Sequence, residues 1–442
     1  MSSVIKHPVI TGLRRMFILV TPNETSFEKI EDVPNYVDEA VPYFIALIIM
    51  EWAVLYIKGE TLPRLNDSFS SLSNGVLSLL HGLLFRSTEL AAFMWTYKHF
   101  NMVTLPWNNP ITWILCLLGV DFVYYWVHRC GHEVNIMWAG HQTHHNSEDY
   151  NYSTALRQSF LHRYANWMFY MPLALFLPPS IFLVHNQFNL IYQFWVHTET
   201  VGKLGPLEWI LSTPSHHRVH HGRNPYCIDK NYGGVFIIWD RLFGTFEAEK
   251  EEEKVVYGLV HNIDSWEPVH AQLHHLIYVI KSAWNIQGIS NKLSVLLKGP
   301  GWSPGKPRLG CLEDIPQVKQ NPVKYNSDVS TWRTIYIWLH FLIFLLLWQP
   351  NLSMNKQSLS TTYMTVNIIY IVFSLFVFGS MYDKRSYANE LEMVRSVLFV
   401  VAWQLGVAMP VSRAVCGWYL VSALIWVPVV ILNKTAVKKK MK

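Results

Sequence analysis

Three short histidine patterns carry the chemistry legible in this sequence: His128-Arg-Cys-Gly-His132, His141-Gln-Thr-His144-His145 and His217-Arg-Val-His220-His221. On an α-helix, residues at i and i+4, or at i, i+3 and i+4, lie on one face. Each pattern therefore aims two or three imidazoles at one point. Together they supply eight nitrogen donors, roughly what two metal ions need with positions left open for oxygen or substrate. Imidazole suits iron, zinc, copper and nickel, so donor type alone does not name the metal. Three boxes with ligand spacing distinguish this set from surface histidines that cluster by chance.

Other groups near the boxes are candidates for supporting parts. Asp121 lies seven residues before His128, on the same helix face. Glu133 directly follows a ligand, and its carboxylate can accept from the far nitrogen of a neighbouring imidazole; the alternative is a surface salt bridge. His197 and His216 are candidates to complete the coordination, or else hydrogen-bonded core histidines. Arg157 and Asp240 are candidates to orient substrate, reductant or ligand. Glu51, inside an apolar run, either has a function or reaches water from a span end.

The elements that must position these residues are membrane helices. Hydrophobic residues make up 51% of the 442, charged residues 15%, and there are 19 tryptophans, a composition that belongs to a polytopic all-α membrane protein. Apolar runs at Val41–Ile57, Ile111–Val127, Trp332–Trp348, Tyr363–Met381, Val394–Ala408 and Val415–Leu432 approach or reach span length. The first box follows the second run on one continuous helix. Between the boxes, Pro172 and Pro178-Pro179 break an apolar segment, which reads as a kinked or re-entrant hairpin. The chain divides into an arm (1–40), N-terminal membrane helices (41–109), a histidine-box catalytic region (110–250), a helix and Pro/Gly-rich linker (251–330) and a C-terminal four-helix membrane region with a basic tail (331–442). His270, His274 and His275 form a further helical group, whose default reading is an interfacial helix.

The net charge is +5, and five lysines in the tail account for as much, so no nucleic-acid partner is expected. The five cysteines form no CxxC pair, which indicates neither a disulfide framework nor a thiolate metal site. The apolar run Met16–Val20 is short and ends before Pro22, so no cleaved signal peptide is expected. With the lysine-rich tail cytosolic, most loop lysines and arginines of the C-terminal region also fall in the cytosol, and the sequon at Asn351 falls in the lumen. Lys439-Lys440-Met-Lys442 resembles a retrieval signal for the endoplasmic reticulum. The reading is a multi-pass membrane protein of that compartment, with a helical histidine-box core on the cytosolic side of a transmembrane helix bundle.

The boxes, followed by Asn231-Tyr-Gly-Gly and Trp239-Asp-Arg-Leu-Phe-Gly-Thr245, resemble the fatty acid hydroxylase/sterol desaturase family of membrane di-iron enzymes over roughly Pro110 to Glu247. The match at His128–Glu133, Thr154–Ser159 and Thr213–His221, with the C-terminal membrane helices, is similar to a branch of that family acting on ether lipids. The resemblance implies a di-iron, O2-using monooxygenase that takes its electrons from tetrahydrobiopterin. Its substrates would be alkylglycerol ether lipids, cleaved after hydroxylation of the carbon next to the ether oxygen. Family members often carry or borrow cytochrome b5. This sequence has no haem-binding His-Pro-Gly-Gly segment, which implies an external reductant such as the pterin. Rival readings are a sterol or fatty-acyl hydroxylase or desaturase using cytochrome b5, and a membrane metal transporter. Transport sites usually lie near the bilayer midplane, whereas these boxes lie at or beyond span ends.

Overall fold

The computed structural model describes residues 8–440 apart from 86, 320, 328, 349–351, 353–358 and 408–410, and the backbone alone of 81–85, 87, 88, 163, 165 and 433–440. Asn351 and the side chains of the lysine tail lie outside the described residues. Among the described residues there are helices but no strands, only isolated bridges at Leu211–Phe236 and Gly222–Tyr257.

Short helices α1 (Pro8–Met16) and α2 (Pro22–Thr25) lead into α3 (Tyr36–Lys58), α4 (Leu65–Phe85) and α5 (Ser87–Phe100). The box region follows as α6 (Pro110–Glu133), α7 (Asn135–His145), the single turn α8 (Tyr152–Ala155), α9 (Arg163–Tyr170), α10 (Pro179–Trp195), α11 (Pro214–His221) and α12 (Ile238–Phe243). Then come α13 (Pro268–Asn285), α14 (Ile289–Leu297), α15 (Thr331–Ile343), α16 (Thr361–Tyr382), α17 (Ala388–Gln404) and α18 (Arg413–Lys440).

Local chemistry sets the ends that matter. The Asn109 side chain accepts from the Ile111 N–H at 2.8 Å and Pro110 takes the first turn, so α6 starts cleanly. Its box end stops at Glu133, and α7 restarts two residues later. The apolar segment before α10 is interrupted as the prolines require: α9 gives way to a 3-10 turn at Met171–Leu175, and α10 starts on Pro179. After Asn151, which caps it, the chain makes the single α-turn Tyr152–Ala155, and Arg157 just beyond it is buried.

Among the described residues, five stretches are long and apolar enough to cross a membrane: Ile30–Lys58, Pro110–Glu133, Thr331–Trp348, Thr361–Tyr382 and Arg413–Leu432. The run Val394–Ala408 lies largely on α17, which is not among them. That helix buries Arg395 against Glu392 at 2.6 Å, and Arg395 also reaches His340 of α15 and Tyr370 of α16. His340 in turn meets Ser422 of α18 at 3.0 Å. A buried ion pair survives only when its remaining hydrogen-bonding capacity is met, and here meeting it ties α15 to α18 together.

Apolar clusters surround a polar middle. Tyr36, Ala40 and Phe44 of α3 pack on Phe188, Ile191 and Phe194 of α10, with the Phe44 and Phe194 rings stacked at 4.1 Å. Cys116, Val120 and Val123 of α6 pack with Phe93, Ile181 and Phe182. Phe69, Val76 and Leu80 of α4 join the C-terminal helices. Inside these shells, α4 turns Ser71 and Asn74 toward Arg157 and Gln272. The close approach depends on Gly75, where a Cβ would stand 2.5 Å from the Leu156 carbonyl oxygen. Replacement Gly75→Ala is expected to destabilise the protein by about 1–3 kcal/mol, read as a lower midpoint of thermal unfolding in detergent.

Candidate metal centre

Two groups of histidines converge in the polar middle. His128, His132, His141, His145 and His220 form one; His144, His197, His217 and His221 form the other, and within each group the nearest ring nitrogens lie within 4.8 Å of one another. All nine are buried. The helical period explains the division. On α7, His141 and His145 are one turn apart and serve the first group, while His144 sits to one side and serves the second. On α11, His220 goes to the first and His217 with His221 to the second. Each of these helices thus spreads one face across two adjacent sites, and the His145 and His221 rings stack between them at 4.3 Å.

The protonation pattern fits a cation in each group. His144 Nδ1 faces the Arg157 carbonyl oxygen at 3.0 Å, and His197 Nδ1 faces that of Gln193 at 2.7 Å. A carbonyl only accepts, so each Nδ1 carries the proton and each Nε2 presents a lone pair. Those two Nε2 atoms nevertheless meet at 3.2 Å. Two lone pairs at that distance repel unless a positive ion lies between them. Neighbouring Nε2 contacts are similar: His128–His141 and His141–His145 at 3.1 Å, and His197–His217 at 3.1 Å. Ligands bound at about 2.1 Å stand roughly 3 Å apart when adjacent. The Nε2 atoms of His132, His220 and His221 are buried without a hydrogen-bond partner among the described residues. Burial, and after it the neighbouring imidazoles, holds His141, His144, His145, His217, His220 and His221 well below the ordinary histidine range. Burial brings His197 down to about 4. The neutral imidazole is the ligating form, so the residues present fit two metal ions.

The supporting residues hold backbone around this cluster. His128 Nδ1 donates to the Tyr232 carbonyl at 2.8 Å and His220 Nδ1 to that of Lys230 at 2.9 Å. Both carbonyls belong to the loop before α12, and two carboxylates secure it. Asp240 accepts from the N–H groups of Tyr232 and Gly233, both at 2.7 Å, and from the Thr245 hydroxyl. Asp121 accepts from the Val235 and Phe236 N–H groups, the Trp239 indole and the Asn189 amide. Gly234 fits against Asp121 because a Cβ would approach its Oδ1 to 3.0 Å and the Tyr124 ring to 2.8 Å. Asp121 therefore positions the loop.

Arg157 does similar work on the other side. Its side chain bonds Asp67 at 3.0 Å, the Ser71 hydroxyl and Asn146, and its own carbonyl orients His144. Glu133 points elsewhere, pairing with Arg129 at 2.8 Å and Arg308 at 3.0 Å. His216 lies outside both groups: its ring faces Phe246 at 5.4 Å, and its carbonyl accepts from the Asn231 amide. On α11 it sits about a quarter turn from the middle of the arc shared by His217, His220 and His221. The fourth histidine group is also separate, with His275 on Asn135 at 2.7 Å. Glu51 accepts from the Tyr152 N–H at 2.9 Å and from the hydroxyl of Thr198, the residue after His197, so the first span is fastened beside the second group.

Residues 113–245 match the fatty acid hydroxylase family, and residues 333–416 match the alkylglycerol monooxygenase C-terminal domain. The alkylglycerol monooxygenase of Homo sapiens is 51% identical over 399 residues, covering 90% of this chain and 89% of the relative. That of Xenopus tropicalis is 52% identical, covering 89% and 87%, and that of Caenorhabditis elegans 38%, covering 87% and 80%. The chain belongs to the alkylglycerol monooxygenase family. No solved structure matches it.

In this member of the family, spacing and residue type alone do not mark Tyr232, Asp229 or Asp67. Tyr232 is fully buried against His128, His132 and His220, and Asp229 Oδ1 lies 3.6 Å from His132 Nδ1. Tyr232 and Asp229 sit on the Asn231-Tyr-Gly-Gly segment or beside it, which was the available signal. Asp67 is distant along the sequence, on α4, and carried none. His145→Ala is expected to lower bound metal by roughly half or more, whereas His216→Ala leaves it unchanged, both read by elemental analysis of folded protein. Asp240→Asn keeps the size but faces two N–H donors with one fewer acceptor, so metal affinity is expected to fall about 10-fold or more, measured by competition with a chelator.

Proposed function

We propose that this chain is a tetrahydrobiopterin-dependent, di-iron monooxygenase of alkylglycerol ether lipids in the endoplasmic reticulum membrane, with its histidine centre and C-terminus facing the cytosol. The observation that carries the reading is the pair of adjacent all-histidine groups at the box end of a span-length helix. It occurs in a chain whose relatives over about nine-tenths of its length are named alkylglycerol monooxygenases. The nine imidazoles are the proposed ligands, while Asp121, Arg157 and Asp240 act as positioning residues. Glu133 pairs with Arg129 and Arg308 and the His216 ring faces Phe246, so neither is among the proposed ligands. An iron pair held there would supply O2 activation, and tetrahydrobiopterin the two reducing electrons.

The chain's own contribution is orientation and exclusion. Carbonyls of Arg157, Gln193, Lys230 and Tyr232 keep four rings in one tautomer. The apolar shells on α3, α6 and α10 keep water from the middle. An alkyl chain enters from the bilayer beside α6, with its glycerol end toward the surface. The C–H bond next to the ether oxygen is the weakest on that chain, since the oxygen stabilises the carbon radical. One oxygen atom enters there as a hydroxyl and the other leaves as water, with the pterin oxidised by two electrons. The resulting hemiacetal breaks its C–O bond to give a fatty aldehyde and a glycerol.

Purified, iron-loaded protein supplied with tetrahydrobiopterin, O2 and an alkylglycerol is expected to release fatty aldehyde, and His145→Ala to release none. Turnover seen only with cytochrome b5 and a sterol or acyl lipid would overturn the substrate and reductant assignments. Metal uptake into sealed vesicles without any turnover would point to a transporter.

A further inference from the structure

Helices α13 and α14 display an apolar surface that packing among the described residues does not use. On α13, Ile277, Ile280 and Trp284 follow a helical spacing, and Trp284 is 80% exposed. On α14, Ile289, Leu293 and Leu297 do the same, with Ile289 78% exposed. The opposite faces are fully engaged with the box helix α7. The Ala271 carbonyl of α13 accepts from Gln142 and Thr143, and His275 meets Asn135. Asn135 also donates to the carbonyls of Val295 and Lys298, at 2.9 and 2.8 Å. The two helices are thus anchored on one side and bare on the other.

A bilayer is the occupant that fits the bare side. Val269, at the head of α13, lines an apolar groove with Ile368, Ile369, Val372, Phe373 and Phe376 of α16, one of the span-length helices. The lipid-facing surface of a span therefore continues onto α13. Neither helix can cross: α14 has nine residues, and α13 carries His270, His274, His275 and Lys281 within its eighteen. A helix that is apolar on one face and basic or polar along its flanks lies in the plane of the interface. Lys281, Lys292 and Lys298 suit lipid phosphates, and tryptophan favours that depth.

We propose that α13 and α14 form an interfacial hairpin, seated in one leaflet by Ile277, Ile280, Trp284, Ile289, Leu293 and Leu297. Through Asn135, Gln142 and Thr143, the hairpin holds the box helix α7 at a set depth relative to the bilayer. The inference is independent of which lipid the enzyme oxidises.

Site-specific photocrosslinking of the full-length protein in native membranes tests it. p-Benzoylphenylalanine replaces Ile280, Leu293 or, as a control in the solvated acidic run, Glu252. Irradiation is expected to yield phospholipid adducts at positions 280 and 293 about ten-fold or more above position 252, read by mass spectrometry. Phospholipid adducts no more abundant than at position 252 would overturn the proposal. So would dominant adducts to a second copy of the chain or to another polypeptide, which would make this face a protein interface.

Discussion

Neutral imidazoles whose lone pairs face one another inside a protein are unstable as neighbours unless a cation joins them, and the structure is built around that condition. Burial removes the water that would otherwise solvate those lone pairs, and it also keeps the rings unprotonated. A ring can still turn the wrong nitrogen inward. That is prevented where Nδ1 of His128, His144, His197 and His220 is committed to a backbone carbonyl.

The demand for carbonyls shapes the rest of the fold. Most carbonyls inside a helix are already taken by the helix itself, so the ones from Tyr232, Lys230 and Arg157 come from irregular backbone or a helix exit. Irregular backbone in a membrane protein needs its own polar groups met. Asp121 and Asp240 do so for the loop before α12, while the Arg157 side chain ties the loop after α8 to Asp67 and Ser71 of α4 and to Asn146 after α7. Residues that look catalytic from their charge and burial thus spend that charge on holding loops in place. Their removal is expected to disorder the ligands.

The C-terminal helices solve a separate problem with related means. Glu392 and Arg395 are buried together, and their spare hydrogen-bonding capacity reaches Tyr336, His340 and Tyr370. Among apolar helices, which lipid surrounds as readily as neighbouring protein does, such polar contacts specify which faces meet. The apolar shells and this network leave the histidine groups enclosed, while α13 and α14 give the box helix its outer support.

The one-dimensional pattern was sufficient for what depends on local periodicity. Helical spacing assigns His128 with His132, His141 with His145, and His217 with His221 to common faces, because a turn of helix returns every third or fourth residue to the same side. Apolar run length likewise marks the five span-length helices, though it also draws in the run Val394–Ala408, most of which lies on α17, and the prolines at 172, 178 and 179 mark the break before α10. Partition of the histidines into a group of five and a group of four required the packing of α6, α7, α10 and α11. So did the presence of His197 among them, the turning of His216 toward Phe246 and of Glu133 toward Arg129 and Arg308, and the use of Asp121 and Asp240 as loop anchors. Each of these depends on contacts between residues far apart in the chain, which spacing along a single helix does not encode.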